Sequence, residues 1–122
     1  MGLIMKKTLF IQHHAPYHSE KPQETLDALL VCATFGQQVS LLFQDDGVWQ
    51  LVADQQGHAI GKRTLGSQLQ VLPLYDVERL YADAISLQER QIDAATLSLP
   101  VTILDTNALK QLIAEQNQLM RL

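Results

Sequence analysis

The groups able to do chemistry here include four histidines, thirteen acidic side chains and one cysteine. His13 and His14 are adjacent, and His18 stands four residues beyond the second. Clustered imidazoles can bind a transition metal. This spacing matches no tight ligand motif, and a metal also needs convergent ligands held by outer hydrogen bonds. The three read better as loop histidines. Asp45, Asp46, Asp83 and Asp105 each fall at or near the end of an apolar run. Paired carboxylates can hold Mg²⁺ or share proton transfer. Aspartate is also a favoured turn and cap residue, which accounts for the same positions without chemistry. No Gly-x-Gly-x-x-Gly or Gly-x-x-x-x-Gly-Lys-Ser/Thr occurs to cradle a phosphate. Cys32, the only thiol, follows Leu29, Leu30 and Val31 near the C-terminal end of a helical pattern. An activated thiolate wants a helix N-terminus or a cationic neighbour, and a helix C-terminus opposes negative charge. Cys32 therefore reads as a packing residue. No catalytic, cofactor-binding or metal-binding residue is assigned on these grounds.

The elements that would position these groups follow from periodicity. Thr8–Gln12 (TLFIQ) is a branched and aromatic run that predicts a first buried strand. Pro22 suits the first turn of a helix, and Leu26, Leu29, Leu30 and Ala33 share one helical face. Gly36 then closes that helix in a left-handed conformation. Val39–Phe43 predicts a second strand ended by the Asp45-Asp46-Gly47 turn signal. Val48, Leu51 and Val52 suggest one or two helical turns. Trp49 is out of register with them and is expected to be exposed. An exposed Trp anchors protein partners, although capping a sheet edge within the chain explains it equally well. Gln55–Ser67, with Gly57, Gly61 and Gly66, reads as a surface loop. Gln68–Leu72 is expected to be helical and stopped by Pro73. Arg79–Ala84 and Pro100–Leu104 predict third and fourth strands. Ser86 and Glu89 have capping-box spacing for a short helix. Asp105 or Thr106 caps a helix marked by Leu109, Leu112 and Ile113, and Leu119–Leu122 suits a last strand. Strands alternating with helices predict a mostly parallel sheet covered on both faces, with ligands at its carboxyl edge.

The 122 residues suit one domain, able to bury roughly two-thirds of its unfolded surface. Apolar residues at 47% and charged residues at 18% are globular proportions. A net charge of −4 argues against binding a nucleic acid backbone, which wants a basic stripe. One cysteine excludes an internal disulfide. The apolar runs are too short to span a bilayer, and Met1–Met5 lacks the pattern of a secretion signal. Lys6 stands where a myristoylation signal wants Ser or Thr. Met5 looks like the natural start, with Met1–Ile4 an upstream start or vector-derived. The expectation is a soluble, cytoplasmic protein with one domain over 6–122.

Three stretches in order carry a resemblance: Asp46–Leu51 (DGVWQL), Leu74–Glu78 (LYDVE) and Ala84–Arg90 (AISLQER). With the Leu26–Leu30 (LDALL) helix they resemble the DsrF-like, or TusC, branch of the DsrE/DsrF/DsrH superfamily, from about Lys6 to Leu122. The resemblance implies a flavodoxin-like three-layer α/β/α fold with five strands. It also implies a heterohexamer, a dimer of heterotrimers with TusB-like and TusD-like subunits. Such a complex takes persulfide sulfur from TusA and passes it to TusE, and the sulfur ends as the 2-thio group of the tRNA wobble uridine. In dissimilatory sulfur oxidisers the equivalent assembly handles sulfane sulfur. The family's persulfide cysteine belongs to the TusD/DsrE chain, just before the segment similar to Ala84–Arg90. Asp83 occupies that position here, and a carboxylate cannot carry sulfane sulfur. Gln91 stands where the family often has Gly after this helix. The resemblance thus implies a non-catalytic interaction subunit without a cofactor, direct nucleic acid contact or membrane. Trp49, Leu74, Tyr75 and Asp83 are its candidate partner-facing residues. The competing expectation is a small flavodoxin-like enzyme or nucleotide-binding module using strand-end Asp and His residues.

Overall fold

A computed structural model describes residues 6–16, 19–52 and 68–122. His18, the whole Gln55–Ser67 stretch and Met1–Met5 lie outside the described residues. Strands β1 (Lys7–Gln12), β2 (Gln38–Phe43), β3 (Arg79–Asp83), β4 (Thr102–Leu104) and β5 (Gln118–Met120) form one sheet in the order β4-β3-β2-β1-β5. All four pairings are parallel, with Phe10 opposite Leu41, Leu41 opposite Leu80, Ala82 opposite Ile103 and Leu9 opposite Leu119. From β1 the chain steps outward to β4, then returns across the sheet to place β5 on the other side of β1. The direction therefore reverses between β1 and β5, where open α/β sheets form their binding crevice.

Side chains alternate across the sheet and so divide the core in two. Phe10, Val39, Leu41, Phe43, Leu80 and Ala82 belong to the larger cluster, which α1 (Lys21–Thr34) covers with Leu26 and Leu29. Leu9, Ile11 and Leu42 join Leu104 in the smaller cluster. That cluster is closed by α3 (Thr106–Ala114) through Leu112, with Leu109 and Ile113 packed against it. α2 (Ala84–Glu89) follows β3 directly and buries Leu87 in the larger cluster.

Local chemistry explains most element ends. Pro22 lies in the first turn of α1, where its missing N–H is not needed, and Gly36 (φ 81) turns the chain toward β2. Asp105 caps α3, its Oδ1 accepting the Ala108 N–H at 2.8 Å. Val48 and Leu51 are buried in a 3₁₀ segment, Asp45–Leu51. Two expectations are corrected. Gln68 and Leu69 are helical as expected, but the helix gives way to a turn at Gln70 and Val71, before Pro73, which lies inside a following 3₁₀ turn, Leu72–Tyr75, at a first-turn position that tolerates proline. Ser86 does not cap α2; the helix starts at Ala84 with Asp83 at the cap position, and Ser86 is buried within it. After α2, Gln91 has φ 54, the left-handed geometry that glycine adopts without a Cβ penalty.

Candidate functional site

The carboxyl edge of the sheet is assembled from β1, the Asp45–Leu51 segment, α2 and the residue after β5. Gln44 N–H donates to Gln12 O at 3.0 Å, and Gly47 N–H donates to Gln44 O at 2.9 Å. These bonds press Gly47 onto β1 so closely that any Cβ there would fall inside the Gln12 carbonyl. Two buried amides lock the same corner. Gln12 Nε2 donates to Pro22 O at 3.0 Å, and Gln50 Nε2 donates to His14 O at 2.9 Å and to Gln12 Oε1 at 3.2 Å. The first turn of α1 and the 3₁₀ segment are thereby tied to the end of β1.

His13 and His14 sit on this corner with ring centroids 4.1 Å apart and planes tilted by 38°. Their Nε2 atoms, with Gln50 Oε1, are buried and without a hydrogen-bond partner among the described residues. Burial is the first cause that pushes the His13 imidazole below its ordinary pKa; Arg121 and His14 add to it, and Asp45 opposes them. Arg121 comes from beyond β5 and pairs with Asp45 at 3.6 Å, both half-exposed, so the pair contributes little. The reversal point of the sheet therefore carries two imidazoles in tilted contact, with a guanidinium acting on the first. Among the described residues no three His, Cys, Asp or Glu side chains are grouped to hold a metal ion.

At the end of β3 the Asp83 carboxylate is 7% exposed and accepts the Ser86 hydroxyl at 2.6 Å. Ser86 Oγ in turn accepts the Asp45 N–H at 2.9 Å, holding Asp45 at φ 51. Arg90 clamps the outside, with Nε and Nη2 each 3.1 Å from Asp46 Oδ1. Asp83 is thus enclosed in a hydrogen-bonded link between β3 and the 3₁₀ segment. Asp105 is occupied as a cap. The strand-end aspartates serve as turns, caps and pairs.

Cys32 lies at the other edge of the sheet. It sits in the last turns of α1, packs against the larger cluster, and its carbonyl accepts the Gln37 N–H just before β2. Trp49 is at the carboxyl edge and 37% exposed, whereas Leu74 (82%) and Tyr75 (47%) precede β3 at the amino edge. The four candidate partner-facing residues are therefore not one surface. Sequence reasoning missed Phe35, which is 80% exposed, because it falls off the Leu26/Leu29/Leu30/Ala33 face at the helix cap. It also missed Arg90 and Arg121, whose aspartate partners lie far away along the chain and leave no local signal. No helix among the described residues is long and apolar enough to cross a membrane.

Comparison with known proteins agrees with this architecture. The chain is 35% identical to a protein TusC homolog of Pseudomonas aeruginosa over 98% of this chain and 100% of that one. It is 37% identical to the intracellular sulfur oxidation protein DsrF of Allochromatium vinosum, over 74% of this chain and 66% of that one. The crystal structure of ychN protein from E. coli superposes with a TM-score of 0.81 at 19% identity, covering 97% and 100% of the two chains. That likeness establishes the fold. The DsrE/DsrF-like family is matched over residues 6–122, and with relatives at this identity the chain belongs to it.

Proposed function

We propose that this chain is a non-catalytic subunit of a TusBCD-type heterohexameric sulfur-relay complex in the cytoplasm. In that role it stands beside TusB-like and TusD-like subunits while persulfide sulfur passes from TusA to TusE for 2-thiolation of the tRNA wobble uridine. The names of the relatives support the relay. The observation that carries the non-catalytic role is the placement of the single thiol. Cys32 packs on the core at the amino edge, while the carboxyl-edge position ahead of α2 holds Asp83, enclosed by Ser86. Sulfane sulfur needs a reachable thiolate, and the site offers a sealed carboxylate instead. The competing enzyme reading draws on the His13 and His14 nitrogens, which have no partner among the described residues, but the aspartates it also needs are engaged.

The test is transfer of labelled sulfur to a TusE-like acceptor by the reconstituted complex. With Cys32→Ala, transfer stays near wild type, and stability falls by about 1–2 kcal/mol for the small volume lost. Abolished transfer in a complex that melts normally makes this chain a sulfur carrier and overturns the proposal.

A further inference from the structure

The two imidazoles at the end of β1 are titratable groups that neither the core nor the relay reading uses. The turn that carries them is held lightly. Residues 13–15 are half-buried, between the buried Gln12 and Pro16. The bond from Gln50 Nε2 to His14 O, 2.9 Å, ties this turn to the 3₁₀ segment. The segment itself is anchored separately. Val48 and Leu51 are fully buried in the larger cluster, and the Gln44 and Gly47 N–H groups have their own backbone acceptors. The ladders of β1 to β2 and β5 end at Gln12 and Phe10, before the turn begins. The turn can therefore move without the sheet or the core. Local opening of this kind costs far less than unfolding the whole chain.

The surroundings of His13 supply the trigger. Its Nε2 is buried without a hydrogen-bond partner among the described residues, and its ring centroid lies 4.1 Å from that of His14. Arg121 acts on it from beyond β5. A charged imidazole there is desolvated and repelled, with only Asp45 in its favour, and Asp45 is shared with Arg121. The other elements of the corner bring charges that are engaged: Arg90 of α2 binds Asp46, and Lys21 in the first turn of α1 pairs with Glu24. Swinging the turn outward takes the imidazole into water. We propose that residues 13–15 form an acid-operated latch, in which protonation of His13 frees His14 O from Gln50 and opens the reversal point of the sheet, where α/β folds form their binding crevice. The closed form binds fewer protons than the open one. It is therefore favoured above the ordinary imidazole value, roughly 6.5, and is lost as pH falls below it. The inference stands apart from the relay reading, because it concerns the chain alone.

Hydrogen exchange of the full chain, followed by NMR from pH 8 to pH 5 and corrected for the intrinsic pH dependence of exchange, tests it. The probe is the Gln50 side-chain amide, and the backbone amides of β2 report on the rest of the fold. The expected result is that Gln50 loses protection on the acid side while β2 keeps its own. The loss is up to about tenfold per pH unit, the limit for one coupled proton. His13→Gln removes this pH response. Arg121→Gln weakens it, Arg121→Lys restores it, and Asp45→Asn enlarges it, because these variants change only the charge acting on His13. Gln50 protection that is flat with pH overturns the proposal, and so does a loss shared by β2 at the same pH. A response that survives in folded His13→Gln, or that ignores both Arg121→Gln and Asp45→Asn, also overturns it. Sulfur transfer is not the readout, so failure here leaves the relay reading intact.

Discussion

A buried imidazole nitrogen without a partner costs free energy, and His13 and His14 place at the end of β1 two that find none among the described residues. Burial, Arg121 and His14 favour the neutral His13, against the weaker pull of Asp45. The sign of the consequence is fixed by linkage. A base whose pKa is lower in the folded state binds fewer protons there than in the unfolded chain, so folding stability rises with pH across that interval. His13 therefore contributes stability that is fully present above the ordinary imidazole value, roughly 6.5, and is lost as pH falls below it. Melting temperatures between pH 8 and pH 5 should decline on the acid side, and His13→Gln should flatten that part of the curve. An unchanged slope in the variant would assign the acid loss to other groups. The sequence alone marked these residues only as loop histidines. Their ring contact depends on how β1 ends, and the arginine that acts on His13 comes from beyond the last strand, neither of which is written in the local pattern. Gly47 was read correctly as part of a turn, yet the reason only glycine fits is the approach of β1's carbonyl, a tertiary fact.

Element ends show where local chemistry suffices and where it does not. β1, α1, β2 and β3 lie within a residue or two of their apolar runs and helix signals, because period and punctuation agree there. The Ser86/Glu89 spacing misled because Asp83, already at the strand end, takes the cap position and draws the Ser86 hydroxyl inward. The fourth strand shortened to Thr102–Leu104, at the edge of the sheet where only β3 offers a ladder. Two predictions belong at this scale. α3 is the helix that closes the smaller core cluster, and its cap is the Asp105 carboxylate. Asp105→Ala should lower stability by about 1 kcal/mol, and Asp105→Asn should retain most of it, as read from urea midpoints. Gln91, in contrast, bears a left-handed backbone that disfavours a Cβ by roughly 1–2 kcal/mol. Gln91→Gly relieves that strain while loosening the unfolded chain. The net should be a gain of a few tenths to about 1 kcal/mol, seen as a higher melting temperature. A lower one would mean that the Gln91 side chain stabilises the fold.

At the scale of the whole molecule, the described residues cover the sheet unevenly. One face has α1, α2 and the 3₁₀ segments, whereas the other has the nine-residue α3 over a smaller cluster. The outer strands β4 and β5 are three residues each and leave Ile103 and Leu119 partly exposed, and Trp49, Phe35 and Leu74 add apolar surface at both ends of the sheet. Short edge strands limit uncontrolled strand pairing, but they do not cover side chains. Exposed apolar side chains at the ends and edges of the sheet offer contact area to neighbouring chains. In the proposed relay complex those neighbours would be the TusB-like and TusD-like chains. Co-expression with both should therefore yield a particle of six chains by light scattering, in which Trp49 and Ile103 lose exposure to hydrogen exchange and footprinting. The chain alone should self-associate, and it should be less stable to heat than in the complex, since partners that bind only the folded form stabilise it by mass action. A chain that stays monomeric and gains no stability from either partner would remove it from the proposed assembly. Its apolar surface would then need another occupant.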